Sequence, residues 1–130
     1  MQKVTLISIV DDDESVREAT KDLIWSLGYA AATFASAEDY LRSDRIADTS
    51  CLIADVQMPG MSGVELQDRL IADGHRTPII FVTAFPEAKI RARVLRAGAY
   101  GFLSKPLDGE SLIKCLEMAL IGGDTRPPPQ

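Results

Sequence analysis

The chain has 130 residues, 46% of them hydrophobic and 25% charged, with a formal net charge of −5. That length suits one domain with a real core, and the apolar share excludes a disordered chain. The acidic balance leaves no electrostatic footprint for nucleic acid, so any DNA contact belongs to another domain or chain. Cys51 and Cys115 fall on predicted buried elements far apart in sequence. They read as small core hydrophobes in a reducing compartment. No signal pattern is visible at the N-terminus, where a strand-length apolar run ends at Asp11, and no apolar segment has the length of a membrane span. A cytoplasmic protein without membrane contact is expected.

Residues 4–10 are mostly β-branched or apolar and predict a strand that runs into Asp11-Asp12-Asp13-Glu14. Residues 15–27 turn helical: Val16, Ala19, Thr20, Leu23 and Leu27 share one face, and Gly28 stops the helix. Trp25, opposite that stripe, is either a partly covered surface aromatic or a partner-contact anchor. Residues 29–34 predict a second strand whose alanines suit a sheet edge. Ser36 caps a short helix to about residue 43, with Glu38 and Asp39 in its first turn. The central strand is Cys51-Leu52-Ile53-Ala54-Asp55, a small or apolar run that ends on one carboxylate before a Pro59-Gly60 turn. Ser62-Gly63-Val64-Glu65 opens the third helix and Gly74 closes it; His75 reads as an incidental loop residue.

Residues 79–83 predict the fourth strand. The next helix is expected to begin near Pro86, with the proline at its first position, and to stop at Gly98. It carries Lys89, Arg91, Arg93 and Arg96, a solvated face or a docking surface. Residues 99–103 predict the fifth strand, and Leu112, Cys115, Leu116, Ala119 and Leu120 the stripe of the last helix. Residues 1–121 are expected to form the domain, with the Gly- and Pro-rich residues 122–130 as a flexible tail or the start of a linker.

Five successive βα units imply an α/β fold, a doubly wound parallel sheet with helices on both faces. Strand order 2-1-3-4-5 is favoured, because the strand-end residues then converge at a switch point, as in flavodoxin-like folds. The carboxyl ends of strands one, three, four and five would share a rim holding Asp11, Asp12, Asp55, Thr83 and Lys105. Two unit charges about 4 Å apart repel by about 4 kcal/mol at an effective dielectric near 20. Three carboxylates therefore call for a cation. A hard divalent ion such as Mg²⁺ suits oxygen ligands, and Lys105 adds positive charge. A nucleophilic carboxylate beside them completes the parts that phosphoryl transfer needs. Taken singly, each residue has a plain structural explanation, and Asp13 is the one expected to cap the following helix. Four chemically matched loops together point to chemistry.

Here the chain resembles a receiver domain of two-component response regulators. The resemblance rests on Ile9-Val10-Asp11-Asp12-Asp13, Asp55-Val56-Gln57-Met58-Pro59-Gly60-Met61-Ser62-Gly63, Val82-Thr83-Ala84, Ala97-Gly98-Ala99 and Lys105-Pro106, in an order covering residues 4–121. The run from Met58 to Glu65 is most similar to the FixJ/NarL type, whose members usually carry a C-terminal helix-turn-helix domain. The resemblance implies that Asp55 accepts the phosphoryl group. It implies that Asp12 ligates Mg²⁺, or Mn²⁺ in its place, directly, that Asp11 acts through water, and that Asp55 and the Gln57 backbone carbonyl complete the site. Val56, Thr83, Ala84 and Lys105 would bind the phosphoryl group. Thr83 and Phe102 would form the switch pair, and the bond to Pro106 would be cis. The implied partners are a sensor histidine kinase and a phosphorylation-dependent homodimer through helix four, strand five and helix five. DNA would be reached only through a C-terminal domain that is not in this chain. The alternative output is a stand-alone receiver serving as phosphate sink or docking switch.

The implied role is a phospho-accepting switch with slow self-dephosphorylation rather than an enzyme. Phe85 and the Gln57 side chain are placed to slow the attacking water. An aspartyl-phosphate hydrolase of the haloacid-dehalogenase class would want an acid where Gln57 stands. An EF-hand loop starting at Asp11 would need Gly and Glu where Val16 and Asp22 stand. A flavodoxin-type cofactor binder would need a Ser/Thr/Gly-rich loop after the first strand.

Overall fold

The structure is a computed structural model that describes residues 4–125. Its strands are β1 (Leu6–Val10), β2 (Ala30–Phe34), β3 (Cys51–Asp55), β4 (Ile79–Thr83) and β5 (Gly101–Ser104). They alternate with α1 (Glu14–Ser26), α2 (Ala37–Arg42), α3 (Gly63–Ala72), α4 (Ala88–Arg96) and α5 (Gly109–Thr125). The strands pair in parallel in the order β2-β1-β3-β4-β5, the order the switch-point argument selects.

Period-two alternation splits the core in two. Leu52, Ala54 and Phe81 face a layer built with Tyr40 of α2, Leu66 and Leu70 of α3 and Val94 of α4. Ile7, Ile9, Ile53, Ile80 and Val82 face Ile24 of α1 and Leu112, Leu116 and Ala119 of α5. With both faces covered, β1, β3 and β4 are buried throughout, which explains their apolar runs, interrupted in β1 by Ser8, whose hydroxyl pairs with Thr49 Oγ1 at 2.8 Å. The alanine-rich β2 lies at the edge. Buried hydroxyls are paired: the Tyr40 hydroxyl donates to Thr49 Oγ1 at 2.9 Å, and Thr49 donates onward to the Arg45 carbonyl at 2.7 Å.

Several boundaries differ from expectation for local reasons. Pairing with β2 begins at Leu6, and Val4 is exposed, so β1 is shorter than residues 4–10. The buried face of α1 is centred on Thr20 and Ile24, with Ala19 exposed; Ile24, missing from the expected stripe, is fully buried. Thr20 tolerates burial because its hydroxyl donates to the Val16 carbonyl at 2.8 Å. Helix α4 starts at Ala88 with an extended Glu87 as N-cap, which leaves Pro86 outside the helix. Residues 97–99 close α4: Gly98 has φ +109°, and the Ala99 N–H returns to the Val94 carbonyl at 2.9 Å. That delays β5 to Gly101. Helix α5 runs to Thr125, past the glycines where the tail was expected; residues 126–130 lie outside the described residues. Trp25 is exposed beneath Lys21, whose ammonium stands 4.8 Å from the ring centroid. Among the described residues no helix is long and apolar enough to cross a membrane. Cys51 is buried, Cys115 is half-buried, and both are free.

Candidate functional site

Register brings the rim together. Val10 is level with Ala54, so the residues that follow, Asp11 and Asp55, leave adjacent strands side by side. Thr83 is level with Ser104, and the Lys105 N–H extends that ladder to the Thr83 carbonyl at 2.8 Å. The Lys105–Pro106 bond is cis. The Lys105 ammonium stands 3.0 Å from Asp11 Oδ2 and 3.1 Å from Asp55 Oδ2. Asp12 joins them from the exposed side: carboxylate oxygens of Asp11, Asp12 and Asp55 lie within 4.8 Å of one another. Three hard oxygen donors that close, two of them buried, fit a Mg²⁺ or Mn²⁺ ion.

The electrostatics follow from this crowding. Burial, and then the charge of Asp11, push the Asp55 carboxyl up to about 6, although Lys105 and the Gln57 N–H pull the other way. That N–H donates to Asp55 Oδ1 at 3.2 Å. Burial disfavours the Lys105 ammonium, but Asp11 and then Asp55 outweigh it and raise its pKa. The site thus holds the Lys105 ammonium firmly and the Asp55 carboxylate under tension. At neutral pH Asp55 is ionised, the form a nucleophile needs.

The other expected residues fall around this centre. Thr83 is fully buried, and its Oγ1 accepts the Phe85 N–H at 3.1 Å. Ala84 follows it on the exposed turn. Val56 is buried just past Asp55, and its N–H donates to the Val82 carbonyl at 3.1 Å, one step beyond the regular ladder. Gln57 is exposed beside Asp55. Phe102 is half-buried against the layer formed by α2, α3 and α4. Asp13 caps α1 as expected, its Oδ1 accepting the N–H groups of Ser15 and Val16.

Two supports were not legible as such. A Cβ at Gly63 would strike the Asp55 carbonyl, so a glycine is what lets α3 start against the end of β3. The signal was the Ser62-Gly63 pair opening that helix. Glu38 of α2 accepts the Met61 N–H at 3.1 Å and ties down the loop after β3. No local pattern announces a partner 23 residues away.

A family model described as "Response regulator receiver domain" matches residues 7–117. The chain belongs to the response regulator receiver family. The receiver is 36% identical over 114 residues to the transcriptional regulatory protein TdiR of Thauera aromatica, covering 88% of this chain and 50% of that protein. Against the C4-dicarboxylate transport transcriptional regulatory protein DctR of Rhodobacter capsulatus it is 37% identical over 122 residues, covering 92% of this chain and 62% of that one. The chain spans about half the length of the first of these curated relatives. Among solved structures, the response regulator StyR superposes with TM-score 0.87 at 38% identity, over 93% of this chain and 61% of that one. FixJ-N superposes with TM-score 0.80 at 32% identity, over 92% and 95%. The receiver therefore has the fold of its family, and the relatives it matches are regulators of transcription.

Proposed function

We propose that the receiver accepts a phosphoryl group on Asp55 from the phosphohistidine of a sensor histidine kinase. The observation that carries this is the triad of Asp11, Asp12 and Asp55 carboxylates with the Lys105 ammonium bridging two of them. An Asp55 oxygen bonds to phosphorus while the phosphorus–nitrogen bond of the donor breaks; the imidazole keeps that electron pair and takes a proton. Lys105 offsets charge on the phosphoryl oxygens. Asp11, Asp12, Asp55 and the Gln57 carbonyl are the residues that would hold Mg²⁺ or Mn²⁺. When bound, that ion would supply charge neutralisation for the transferred phosphoryl group. Beside Lys105, a groove of about 330 Å³ between α1 and the loop after β5 offers a partly apolar landing surface for the donor protein.

Output follows from how lightly α4 is held. Val94 is the residue it buries. One bond from Gln67 Nε2 to the Val94 carbonyl, at 3.1 Å, and the Asp68–Arg93 ion pair at 2.7 Å tie it to α3. Thr83, drawn to the phosphoryl group, releases the Phe85 N–H, and Phe102 moves with it. This biases the face of α4, β5 and α5. Arg93 is engaged with Asp68, so Lys89, Arg91 and Arg96 are left as the exposed docking charges. Homodimerisation there, in the cytoplasm, controls transcription through a DNA-binding domain outside this chain. The transcriptional relatives support that reading. The protein acts as a switch whose phosphoryl group is lost slowly, with Phe85 and Gln57 screening water.

Incubation with Mg²⁺ and acetyl phosphate, followed by intact mass, tests the acceptor. A single added phosphoryl group on the wild type, absent from Asp55→Asn, supports it. No label, together with no binding of beryllofluoride and Mg²⁺, rejects it. Charge reversal at Arg91 and Arg96 tests the docking face: phosphorylation-dependent association should disappear in sedimentation, and unchanged association rejects that part.

A further inference from the structure

Asp12 is the exposed acid of the cluster, so packing does not aim it. Its backbone does, and both peptide planes around it are held. The plane joining Asp12 to Asp13 is fixed because the Asp13 N–H donates to Asp11 Oδ1 at 2.9 Å. The plane joining Asp11 to Asp12 is fixed because Arg17 Nη1 donates to the Asp11 main-chain carbonyl at 2.7 Å. The Asp11 N–H is tied to the Phe34 carbonyl at 3.1 Å, and its Oδ2 to Lys105. The carbonyl is therefore the remaining handle on that residue, and Arg17 grips it.

The placement of Arg17 runs against local electrostatics. It sits near the start of α1, the positive end of the helix, where a cation is disfavoured. The nearby acidic cluster offsets that cost. From this we infer that Arg17 is a positioning residue for the divalent-cation site: it sets the Asp11–Asp12 peptide plane so that the Asp12 carboxylate meets those of Asp11 and Asp55. The inference rests on the metal-assisted reading above. It adds a residue from α1 that contacts none of the three carboxylates through its own charged pair.

Charge and position predict opposite signs, which makes the test decisive. A guanidinium near three carboxylates repels an incoming cation, so removing it should tighten metal binding if charge is what matters. If position matters, removal should weaken binding, in the range of about tenfold that outer partners of metal ligands typically show. Mn²⁺ binding is measured by electron paramagnetic resonance on the wild type, Arg17→Gln and Arg17→Lys, with a thermal melt of each in EDTA. The expected result is weaker Mn²⁺ binding in Arg17→Gln with a melt near that of the wild type. Arg17→Lys, which keeps the charge and one donor, should recover part of the loss. Equal or tighter binding in Arg17→Gln overturns the inference and leaves the function untouched. A wild type that binds no Mn²⁺ overturns both. If Arg17→Gln melts early, the Arg17→Lys protein decides: wild-type affinity supports a carbonyl clamp, and an affinity loss equal to that of Arg17→Gln rejects it.

Discussion

Replacing Asp55 by Asn should make the receiver more stable at neutral pH, although it removes the proposed acceptor. Asp55 is 5% exposed and faces Asp11, and its carboxyl is pushed from the ordinary 3.8 up to about 6. Holding it ionised at pH 7.5 therefore opposes folding by up to about 3 kcal/mol. The site opens to water through Asp12, and the amide loses attraction to Lys105, so a net gain of about 1–2 kcal/mol is expected. For a domain of this size that is roughly 4–8 °C in melting temperature. The sign of the pH dependence follows from linkage. A folded-state pKa above the unfolded one means the folded protein binds the extra proton. Wild type therefore gains stability relative to the variant as pH falls from about 6 toward 3.8, and the gap closes. Carboxyls such as Asp13 and Asp108, held below their ordinary value by hydrogen bonds to Ser15 and Ser111, lose stability in acid equally in both proteins and cancel. Thermal melts of both proteins in EDTA at pH 7.5, 6 and 4.5 check this. A variant less stable than wild type at pH 7.5, or a gap that widens in acid, would refute the reasoning.

Three further outcomes follow from the same contacts. Lys105→Met leaves Asp11 and Asp55 without their shared cation and should lower stability at pH 7.5 by about 2–3 kcal/mol, since the pair is mostly buried. The loss should shrink at pH 5 and in saturating Mg²⁺, which urea titrations with and without the metal would show. Gly63→Ala drives a methyl into the Asp55 carbonyl and should reduce stability by about 3 kcal/mol, measured by urea unfolding, while Gly109→Ala, with open space around its Cβ position and no positive φ, serves as a control. Tyr40→Phe removes the donor to Thr49 from a fully buried ring and should lower the unfolding midpoint by an amount equivalent to about 1 kcal/mol, with no change in metal binding.

The sheet was legible because burial on both faces leaves a strong mark: mostly apolar runs in β1, β3 and β4, the last two ending on Asp55 and Thr83 and the first leading straight into Asp11. The rim was legible for the same reason, since a charged residue at the end of such a run has little else to do. The misplaced ends show where local signals run out. Pro86 suits a helix start by its own geometry, yet the turn after Thr83 spends two more residues before the chain becomes helical. The face of α1 was legible in Thr20, Leu23 and Leu27, which pack on the core, but not in Ile24, its fully buried residue, or in Ala19, which is exposed: the sheet, not the helix, fixes how far the face turns inward. Arg17 and Glu38 were invisible as site residues because each acts on a backbone atom, and backbone atoms carry no sequence signature.

That last point bears on what the site is built to do. Its acids repel, Asp55 resists ionisation, and the bridging Lys105 ammonium is shared between two carboxylates. Such a cluster would relax by swinging Asp12 toward solvent unless its loop were held. The bonds from Arg17 and Asp11 on one side, and from Glu38 to the loop after β3 on the other, supply that restraint from α1, from the loop itself and from α2. Restraint keeps the carboxylates crowded in the resting state, so a bound cation is what would relieve the repulsion. Under the proposed function, the affinity of the site for that cation is set partly by how well those bonds prevent the acids from separating beforehand.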